Sequence, residues 1–338
     1  MKSQLKLAVV GVGMMAHIRT RAFLETKKIQ LVGVASRNAD RAKQFAAQWG
    51  CGFSTDNYPE LKHCRPDIIL AAVPHRAQSQ IVKWALEQKH HILIGSCMAM
   101  NTRELNRIRA QAKAHNLVVE GGFEARYKPV WKQAKQLIQS GKIGEICAVQ
   151  ATACWGANPD SWYYAQEESG GMPITHMTYA FLNPLTWIFG MPRNITARAN
   201  AKGVQKPGMV KEVTCIASLE YDNQVLCNLL ASYIHHPQAP DWRLYIHGAH
   251  GALEVLPGEF GAGELLHYAG GPEPQHMRFE NAPDPFALQA ETFIQAVNGG
   301  DNQLQNTPAQ GAEDVQIASA IVKSIQKGKN IALDTSRR

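Results

Sequence analysis

Two patterns of apolar and polar positions alternate along the first third of the chain. Short apolar runs, typical of parallel strands buried on both faces, alternate with longer amphipathic segments, which indicate helices. The predicted strands cover residues 5–10, 30–35, 67–73, 91–94 and 117–119. The predicted helices run from the first strand to about Thr26 and over residues 39–49, 75–88 and 101–115. This alternation predicts an α/β fold with an open, doubly wound parallel sheet over residues 1–121.

The pattern changes after residue 121. One amphipathic helix is predicted over residues 127–140, and Gly141 closes it. Strand-like runs then follow one another over residues 146–155, 194–201, 212–221, 224–233, 244–248 and 252–256. Further helices are predicted over residues 174–188, 285–298 and 313–326. Residues 122–338 are therefore expected to form an α+β domain with a large, mostly antiparallel sheet.

A glycine-rich turn follows the first predicted strand directly. It reads Gly11-Val-Gly13-Met14-Met15-Ala16, the G-x-G-x-x-A form of the dinucleotide fingerprint. The first glycine allows a tight turn, the second lets a diphosphate approach the backbone, and the alanine allows close helix packing. The phosphates would then rest on the free amide groups of the helix. We expect Gly11, Gly13, Met14 and Met15 to bind a dinucleotide in a Rossmann domain.

The end of the second predicted strand bears on the choice of cofactor. An acidic side chain in this place usually holds the ribose 2′-hydroxyl of NAD. Here the chain has Ser36 and Arg37, which suit a 2′-phosphate instead. The sequence therefore predicts that NADP(H) is preferred over NAD(H). The alternative is that Arg37 is a solvated loop residue.

Composition and charge exclude several classes of function. The 338 residues are 45% hydrophobic, enough for two folded cores. The net charge of +7 is spread along the chain and locally offset, which favours an anionic small molecule over nucleic acid. No apolar run has the length of a membrane span. The seven cysteines are scattered without a C-x-x-C pair, so we expect no disulfide framework, no metal site and a cytoplasmic location.

Several motifs, taken in order, resemble the glucose–fructose oxidoreductase / inositol dehydrogenase (Gfo/Idh/MocA) family. They are the glycine turn, Ala35-Ser36-Arg37, Ala71-Ala72-Val73-Pro74, Lys89-His90, Met98-Ala99-Met100-Asn101, the stretches 122–129 and 140–146, Gly170-Gly171, and the stretch 247–253. The resemblance covers nearly the whole chain. It implies an oxidoreductase that binds NAD(P) in the first domain.

The resemblance also implies further contacts and partners. The second domain would close over a sugar-like or other small substrate, and the open face of its sheet would form a homodimer or homotetramer. The implied cofactor contacts beyond the glycine turn and strand end are Val73, Pro74, His75, Gly95 and Ser96.

The chain departs from the family at residues that normally handle protons. Gly95-Ser96-Cys97 stands where the family has Glu-Lys-Pro, so the usual lysine is replaced by Ser96. The position of the family's helical Asp holds His176, and that of its His holds Ala180. Because histidine is the usual proton-transfer group near neutral pH, His176 is our first catalytic candidate. Tyr179, about one turn later, is the second; the alternative for His176 is a structural role in a core or interface.

The remaining substrate candidates lie in the predicted second domain. They are Arg126, Trp155, Tyr163, His235 and His236. The aromatic and histidine side chains could line a pocket or equally an interface, and Arg126 could bind an acidic group or pair with a neighbouring carboxylate. Cys97 could be a nucleophilic thiol or, more simply, a small buried side chain.

These observations lead to one main hypothesis and two alternatives. The main hypothesis is an NADP(H)-dependent oxidoreductase that acts on a small carbonyl, imine or sugar-like substrate with atypical catalytic residues. One alternative is a catalytically silent NADP-binding sensor or regulatory protein of the same fold. The other is a redox-neutral enzyme that uses the nucleotide only transiently. Net consumption of NADPH distinguishes the first hypothesis from the other two.

Overall fold

The structure, a computed structural model, describes residues 4–156, 158, 160–203, 207–234, 241–258, 260–301 and 303–334. Internal contacts divide the chain into two units. The first comprises Met1–Glu124 and Phe286–Ala312, and the second comprises Ala125–Pro285 and Glu313–Arg338. The domain boundary at residue 121 stays a prediction, and the sequence analysis does not anticipate the return of residues 286–312 to the first unit.

A six-stranded parallel sheet forms the centre of the first unit. Its strands are β1 (Leu5–Val10), β2 (Ile29–Ala35), β3 (Ser54–Thr55), β4 (Ile68–Ala71), β5 (His91–Ile94) and β6 (Val119–Gly121). Its helices are α1 (Met14–Glu25), α2 (Ala39–Gln48), α3 (His75–Glu87) and α4 (Thr102–His115), with a 3₁₀ segment at Tyr58–Cys64. The strand order is β3-β2-β1-β4-β5-β6. This order confirms the doubly wound α/β fold, in which ligands bind beyond the carboxyl ends of the central strands.

The apolar runs of this unit become its core. Leu7, Val9, Ile68 and Leu70 have no exposed surface, because helices cover both faces of a parallel sheet. Helices α2 and α4 begin at asparagine caps, and Asn101 accepts a hydrogen bond from the Glu104 amide at the start of α4. Asn38 accepts a hydrogen bond from the Arg41 amide at the start of α2.

The second unit is built on a nine-stranded sheet. Its strands are β7 (Ile146–Cys154), β8 (Asn194–Asn200), β9 (Thr214–Glu220), β10 (Leu226–Ser232), β11 (Asp241–Gly248), β12 (Gly251–Leu256), β13 (Glu264–Tyr268), β14 (Gln275–Arg278) and β15 (Ile331–Ala332). The remaining helices of the chain are α5 (Pro129–Gln139), α6 (Gln166–Ser169), a π-helix (Pro173–Leu182), α7 (Asn183–Phe189), α8 (Pro285–Val297) and α9 (Gln310–Lys327), with 3₁₀ turns at Ala125–Tyr127 and Trp162–Tyr164.

The strands of this sheet lie in the order β14-β13-β12-β11-β7-β10-β9-β8-β15. Neighbours are antiparallel except β7 and β10, which run parallel, so the prediction of a mostly antiparallel sheet is confirmed. Alternate residues of β9 are buried and exposed. One face is therefore packed and the other, which we call the open face, meets solvent.

Some elements differ from their prediction. β3, β13, β14 and β15 were not predicted, and helix α5 starts at Pro129 rather than at residue 127 because proline suits the first helical position. The predicted helix over residues 174–188 is a π-helix followed by α7. In the part of the chain that the structure describes, no helix is both long and apolar enough to span a bilayer.

Candidate active site

The glycine turn lies between β1 and α1, as the fingerprint requires. Gly11 has a φ of +100°, and a Cβ atom added there would lie 2.1 Å from the carbonyl oxygen of Ala72. Only glycine fits this backbone without strain. Gly13 caps α1, and no described side chain bonds to the first amides of that helix. The helix terminus therefore offers free N–H groups to an anion.

The carboxyl ends of neighbouring strands meet at this turn. The Gly11 amide donates to the Ala35 carbonyl at 2.8 Å, and the Gly95 amide donates to the Ala71 carbonyl at 2.7 Å. These contacts bring the ends of β1, β2, β4 and β5 to one edge of the sheet. All predicted cofactor residues follow these strand ends: Gly11, Gly13, Met14, Met15, Ser36, Arg37, Val73, Pro74, His75, Gly95 and Ser96.

A second arginine stands beside the predicted 2′-phosphate position. Arg37 is exposed just after β2, and the Ser36 hydroxyl accepts a hydrogen bond from the Asn38 amide at 3.4 Å. Arg41, in the first turns of α2, donates from Nη2 to the Val12 carbonyl at 3.4 Å. The Arg41 guanidinium therefore reaches the glycine turn itself. Sequence reasoning missed this residue, although its spacing of four from Arg37 was a usable signal.

A neutral hydrogen-bond network occupies the place of the family lysine. The Ser96 hydroxyl donates to Gln78 Oε1 at 2.9 Å, and Gln78 Nε2 donates to the Cys97 carbonyl at 2.8 Å. The Cys97 thiol lies 3.4 Å from Nε2 of His75, and both side chains are buried. Ser96 is thus held by an uncharged partner, the side-chain amide of Gln78.

His176 lies in the π-helix of the second unit. Pro173 and Pro184, at its start and just beyond its end, cannot donate backbone hydrogen bonds, and Thr178 Oγ1 donates to the Pro173 carbonyl at 3.0 Å. Isolated stretches of π-helix occur frequently at functional sites. The His176 residue is partly exposed, but both ring nitrogens are buried and have no hydrogen-bond partner among the described residues. Burial lowers the pKa of His176 well below its usual value, so the imidazole is neutral.

Aromatic rings surround His176 on several sides. Trp155 stacks on it with ring centroids 3.4 Å apart, and Tyr233 meets it edge-on at 5.0 Å. Tyr163 lies 5.9 Å away and Tyr179 lies 6.5 Å away, again edge-on. The structure therefore brings together four predicted site residues: Trp155, Tyr163, His176 and Tyr179. The predicted His235 and His236 lie outside the described residues.

Sequence reasoning missed two members of this aromatic group. Tyr233 follows β10, and Trp242 stands near the start of β11 and stacks on Trp155 at 5.7 Å. Part of the signal was available, because Trp155 and Tyr233 end two predicted strands and Trp242 stands two residues before a third. Their order in the sheet, which makes those ends neighbours, was not readable from the sequence.

Arg126 has a partner of its own in the second unit. Its Nη2 lies 3.6 Å from Oδ1 of Asp314, and both side chains are 2% exposed. Arg126 Nε also donates to the Asn183 carbonyl at 3.0 Å, and Asn183 Nδ2 donates to Asp314 at 2.8 Å. This geometry is that of the alternative considered above, an arginine paired with a carboxylate. The substrate role of Arg126 stays a prediction.

Two family profiles match consecutive parts of the chain. Residues 5–123 match the oxidoreductase family with an NAD-binding Rossmann fold. Residues 131–254 match the GFO/IDH/MocA C-terminal domain. The chain belongs to the Gfo/Idh/MocA family. It is therefore an enzyme of an NAD(P)-dependent oxidoreductase family.

Two relatives align with all or most of this family member. An uncharacterized oxidoreductase of Bacillus subtilis is 22% identical over 100% of this chain and 99% of its own length. The scyllo-inositol 2-dehydrogenase (NADP(+)) of the same organism is 23% identical over 89% of this chain and 90% of its own. A levoglucosan dehydrogenase in complex with NADH and levoglucosan has the same fold, with a TM-score of 0.86 at 18% identity, covering 98% of this chain and 100% of that one.

Among the residues that the structure describes, no group of three or more His, Cys, Asp or Glu side chains is placed to hold a metal ion. The features that point to a bound group are instead those of the glycine turn. A Cβ at Gly13 would meet nothing within 4 Å, so the turn leaves open space there, and the α1 amides beside it are uncapped. These residues fit a dinucleotide.

Proposed function

We propose that this chain catalyses an NADP(H)-linked oxidation or reduction of a small carbonyl, imine or sugar-like substrate with atypical proton-handling residues. One observation carries the cofactor preference. The Arg41 guanidinium contacts the glycine turn at the Val12 carbonyl, close in the chain to Ser36 and Arg37. Guanidinium and hydroxyl groups suit a 2′-phosphate, whereas residues 36–38 include no carboxylate for a 2′-hydroxyl.

The cofactor would be held by the edge of the parallel sheet. Gly11 allows the tight turn and Gly13 leaves room for the diphosphate. The first amides of α1 would bind the diphosphate oxygens, and Arg37 and Arg41 would bind the 2′-phosphate. When bound, the nicotinamide accepts or supplies the hydride.

The residues proposed to transfer the substrate proton, His176 and Tyr179, lie in the π-helix. His176 is neutral, so one ring nitrogen can accept the proton released when a substrate alcohol or amine is oxidised. In the reduction the same nitrogen would first take up a proton from solvent and then donate it to the substrate oxygen or nitrogen. The buried, unpartnered state of both ring nitrogens among the described residues supports this assignment. The Tyr179 hydroxyl is the second candidate donor. Ser96 cannot replace the family lysine as a cation, because a serine hydroxyl is uncharged. Its hydrogen-bond partner, the side-chain amide of Gln78, is uncharged as well.

Nucleotide titrations test the cofactor preference. The double variant Arg37→Ser/Arg41→Ser is expected to bind NADPH at least tenfold more weakly, because each charge-assisted hydrogen bond contributes about 1.5–3 kcal/mol. Its affinity for NADH should stay unchanged. Arg109→Ser, which removes an exposed arginine from α4, is the matched control. An equal loss of NADPH and NADH affinity would overturn the preference.

Turnover measurements test the catalytic residues. His176→Ala and Tyr179→Phe are compared with wild type in NADPH oxidation against a panel of carbonyls and imines. The expected result is a fall in kcat of about 10²–10⁴-fold for the variant that removes the proton donor or acceptor, with NADPH affinity retained. His63→Ala, at an exposed position of the first unit, is the control. Turnover that neither substitution changes removes both residues from the mechanism.

The neutral Ser96–Gln78 contact also favours a second candidate function. A family member without the lysine could bind NADP(H) as a sensor or regulatory protein and never consume it. A redox-neutral enzyme would form product without net change in NADPH. Absorbance of NADPH and product analysis on the same sample separate the three cases.

We also propose that a second copy of the chain covers the open face of the nine-stranded sheet. Ile216 on β9 is 46% exposed and Leu226 on β10 is 61% exposed. Beside them the Tyr245 hydroxyl donates to Glu254 at 2.7 Å, which orders a polar part of the same face. Leu226→Glu should shift the mass measured by light scattering towards the monomer, whereas Lys43→Glu should not.

The free thiols of all seven cysteines support the expectation of a reducing, cytoplasmic location.

A further inference from the structure

Three adjacent strands of the second unit carry an aromatic side chain at the same end of the sheet, on its packed side. Tyr233 continues the buried positions Leu229 and Ala231 of β10, and Trp155 continues Ala151 and Ala153 of β7. β10 and β7 run parallel, and Trp242 pairs with Ala153 from the antiparallel strand β11. Because side chains alternate along a strand, all three rings are placed on one face at one end of the sheet.

The π-helix and the preceding 3₁₀ turn complete this group. His176 stacks on Trp155 at 3.4 Å, Tyr179 meets Trp242 edge-on at 5.8 Å, and Tyr163 meets His176 at 5.9 Å. We call the set Trp155, Tyr163, His176, Tyr179, Tyr233 and Trp242 the aromatic wall. Apart from Tyr233, which is buried, each member is partly exposed.

The wall has no formal charge of its own. Its histidine is neutral, and the nearby pair Asp241–Arg243 is placed on the opposite face by strand alternation. Burial raises the pKa of the Tyr233 hydroxyl, and one further ionisable group, Glu212, lies close enough to Tyr233 for its charge to raise that pKa further. Burial raises the pKa of Glu212 itself and so disfavours its anion. A charged substrate would therefore meet no formal countercharge on the wall.

The polar atoms of the wall are three tyrosine hydroxyls, two indole nitrogens and the two ring nitrogens of His176. The Tyr233 hydroxyl is engaged with Thr175 Oγ1 at 3.2 Å. Both ring nitrogens of His176 and Nε1 of Trp242 are buried and have no hydrogen-bond partner among the described residues. A buried polar atom without a partner is costly, so these atoms are expected to bond to a ligand. These three buried atoms can bond to one or two oxygen or nitrogen functions of a ligand.

We propose that the substrate is an uncharged compound with a planar, conjugated ring directly attached to the reacting carbonyl or alcohol carbon. The ring would pack against the aromatic wall, and the oxygen would bond to His176. This inference rests on the proposed function for the hydride transfer, but the ring preference is a property of the wall alone. Stacked and edge-on aromatic pairs have favourable interactions beyond their buried area.

Three compounds test the preference. Benzaldehyde, cyclohexanecarbaldehyde and D-xylose are compared by NMR titration without nucleotide and by kcat/KM with NADPH. We expect benzaldehyde to bind and react about tenfold better than cyclohexanecarbaldehyde, the size expected of one or two aromatic contacts. D-xylose should be weaker still. Equal or better binding and turnover of cyclohexanecarbaldehyde or D-xylose overturns the proposal.

Matched tryptophan variants locate the effect. Trp155→Leu should lose the preference for benzaldehyde over its saturated analogue, and Trp155→Phe should keep most of it. Trp187→Leu is the control, because Trp187 is a partly exposed tryptophan of the same unit whose ring is covered by Lys135 Nζ at 4.0 Å. If Trp155→Leu fails to fold, as thermal unfolding would show, Tyr163→Leu takes its place. A preference that survives these substitutions refutes the role of the wall.

The experiment separates this inference from the proposed function. Binding of benzaldehyde with the expected preference but without NADPH binding would refute the proposed function and uphold the wall. Consumption of NADPH with D-xylose as the better substrate would uphold the proposed function and refute the wall.

Discussion

The two glycines of the turn should respond to the same substitution in opposite ways. At Gly11 an alanine Cβ would lie 2.1 Å from the Ala72 oxygen, in a backbone with a φ of +100°. At Gly13, with a φ of −84°, a Cβ would meet nothing within 4 Å. Gly11→Ala therefore tests the fold of the turn, and Gly13→Ala tests the room it leaves for a ligand.

The size of the first effect follows from three contributions. A positive φ costs a non-glycine residue about 1–2 kcal/mol, and forcing a methyl group into filled space costs about 1–3 kcal/mol. Weakening the 2.8 Å hydrogen bond from the Gly11 amide to Ala35 adds about 1 kcal/mol. We expect Gly11→Ala to lower the free energy of unfolding by about 3–6 kcal/mol. That loss is a large share of the free energy of unfolding of a typical protein, which is about 5–15 kcal/mol.

Gly13→Ala should leave the free energy of unfolding within about 0.5 kcal/mol of wild type, because it meets no neighbour. Its methyl group would instead occupy the approach of the diphosphate to the α1 amides. Losing even one such charge-assisted hydrogen bond costs about 1.5–3 kcal/mol, more than tenfold in affinity.

Urea unfolding and NADPH calorimetry on both variants check this pair of predictions. Stable Gly11→Ala protein with an unchanged unfolding midpoint would refute the clash read from the turn. Gly13→Ala protein that binds NADPH as tightly as wild type would refute the placement of the diphosphate there.

Three further predictions concern buried polar groups. Asp314→Asn should lower the free energy of unfolding by about 3–5 kcal/mol, because it removes the carboxylate that lies 3.6 Å from the buried Arg126 guanidinium, and Arg126→Met/Asp314→Leu should recover much of the loss in urea titrations. Burial holds the pKa of His176 below 6.5, so as pH falls the unfolded chain takes up a proton before the folded one, and stability is lost below pH about 6.5. His176→Phe should reduce this dependence of the unfolding free energy on pH by up to about 1.4 kcal/mol per pH unit, as measured by unfolding at pH about 5 and 7. Arg19→Met should lower the thermal midpoint, because Gln289 loses a 2.6 Å hydrogen bond from the guanidinium, and a midpoint equal to wild type would contradict it.

The sequence predicts the first unit well because its strands carry a strong local signal. β1 and β5 have the predicted bounds, since apolar runs between turn residues leave little freedom. The strands at Glu264–Tyr268 and Gln275–Arg278 escaped prediction. β14 is a mostly exposed edge strand, and its polar residues offer no alternation to detect.

The candidate site is harder to predict because it depends on which strands are neighbours. The glycine turn is local in sequence and was readable. The approach of Trp242 to Trp155 depends on the antiparallel pairing of β11 with β7, which no local pattern encodes. The π-helix was likewise invisible, because its side chains have ordinary helical propensities and only the flanking prolines mark it.

Residues 286–312 finish the unit that the amino terminus begins. The Gln289 side chain donates to the Gly121 carbonyl at 3.0 Å, and Asn306 Nδ2 donates to the Phe123 carbonyl at 2.6 Å. During synthesis, the first unit therefore cannot be completed until residues 286–312 have been translated, because only then can the carbonyls of Gly121 and Phe123 accept these hydrogen bonds. An amino-terminal fragment that stops after β6 would lack residues 286–312. An isolated nucleotide-binding unit should therefore be engineered by joining residues 286–312 to residue 124 through a short linker.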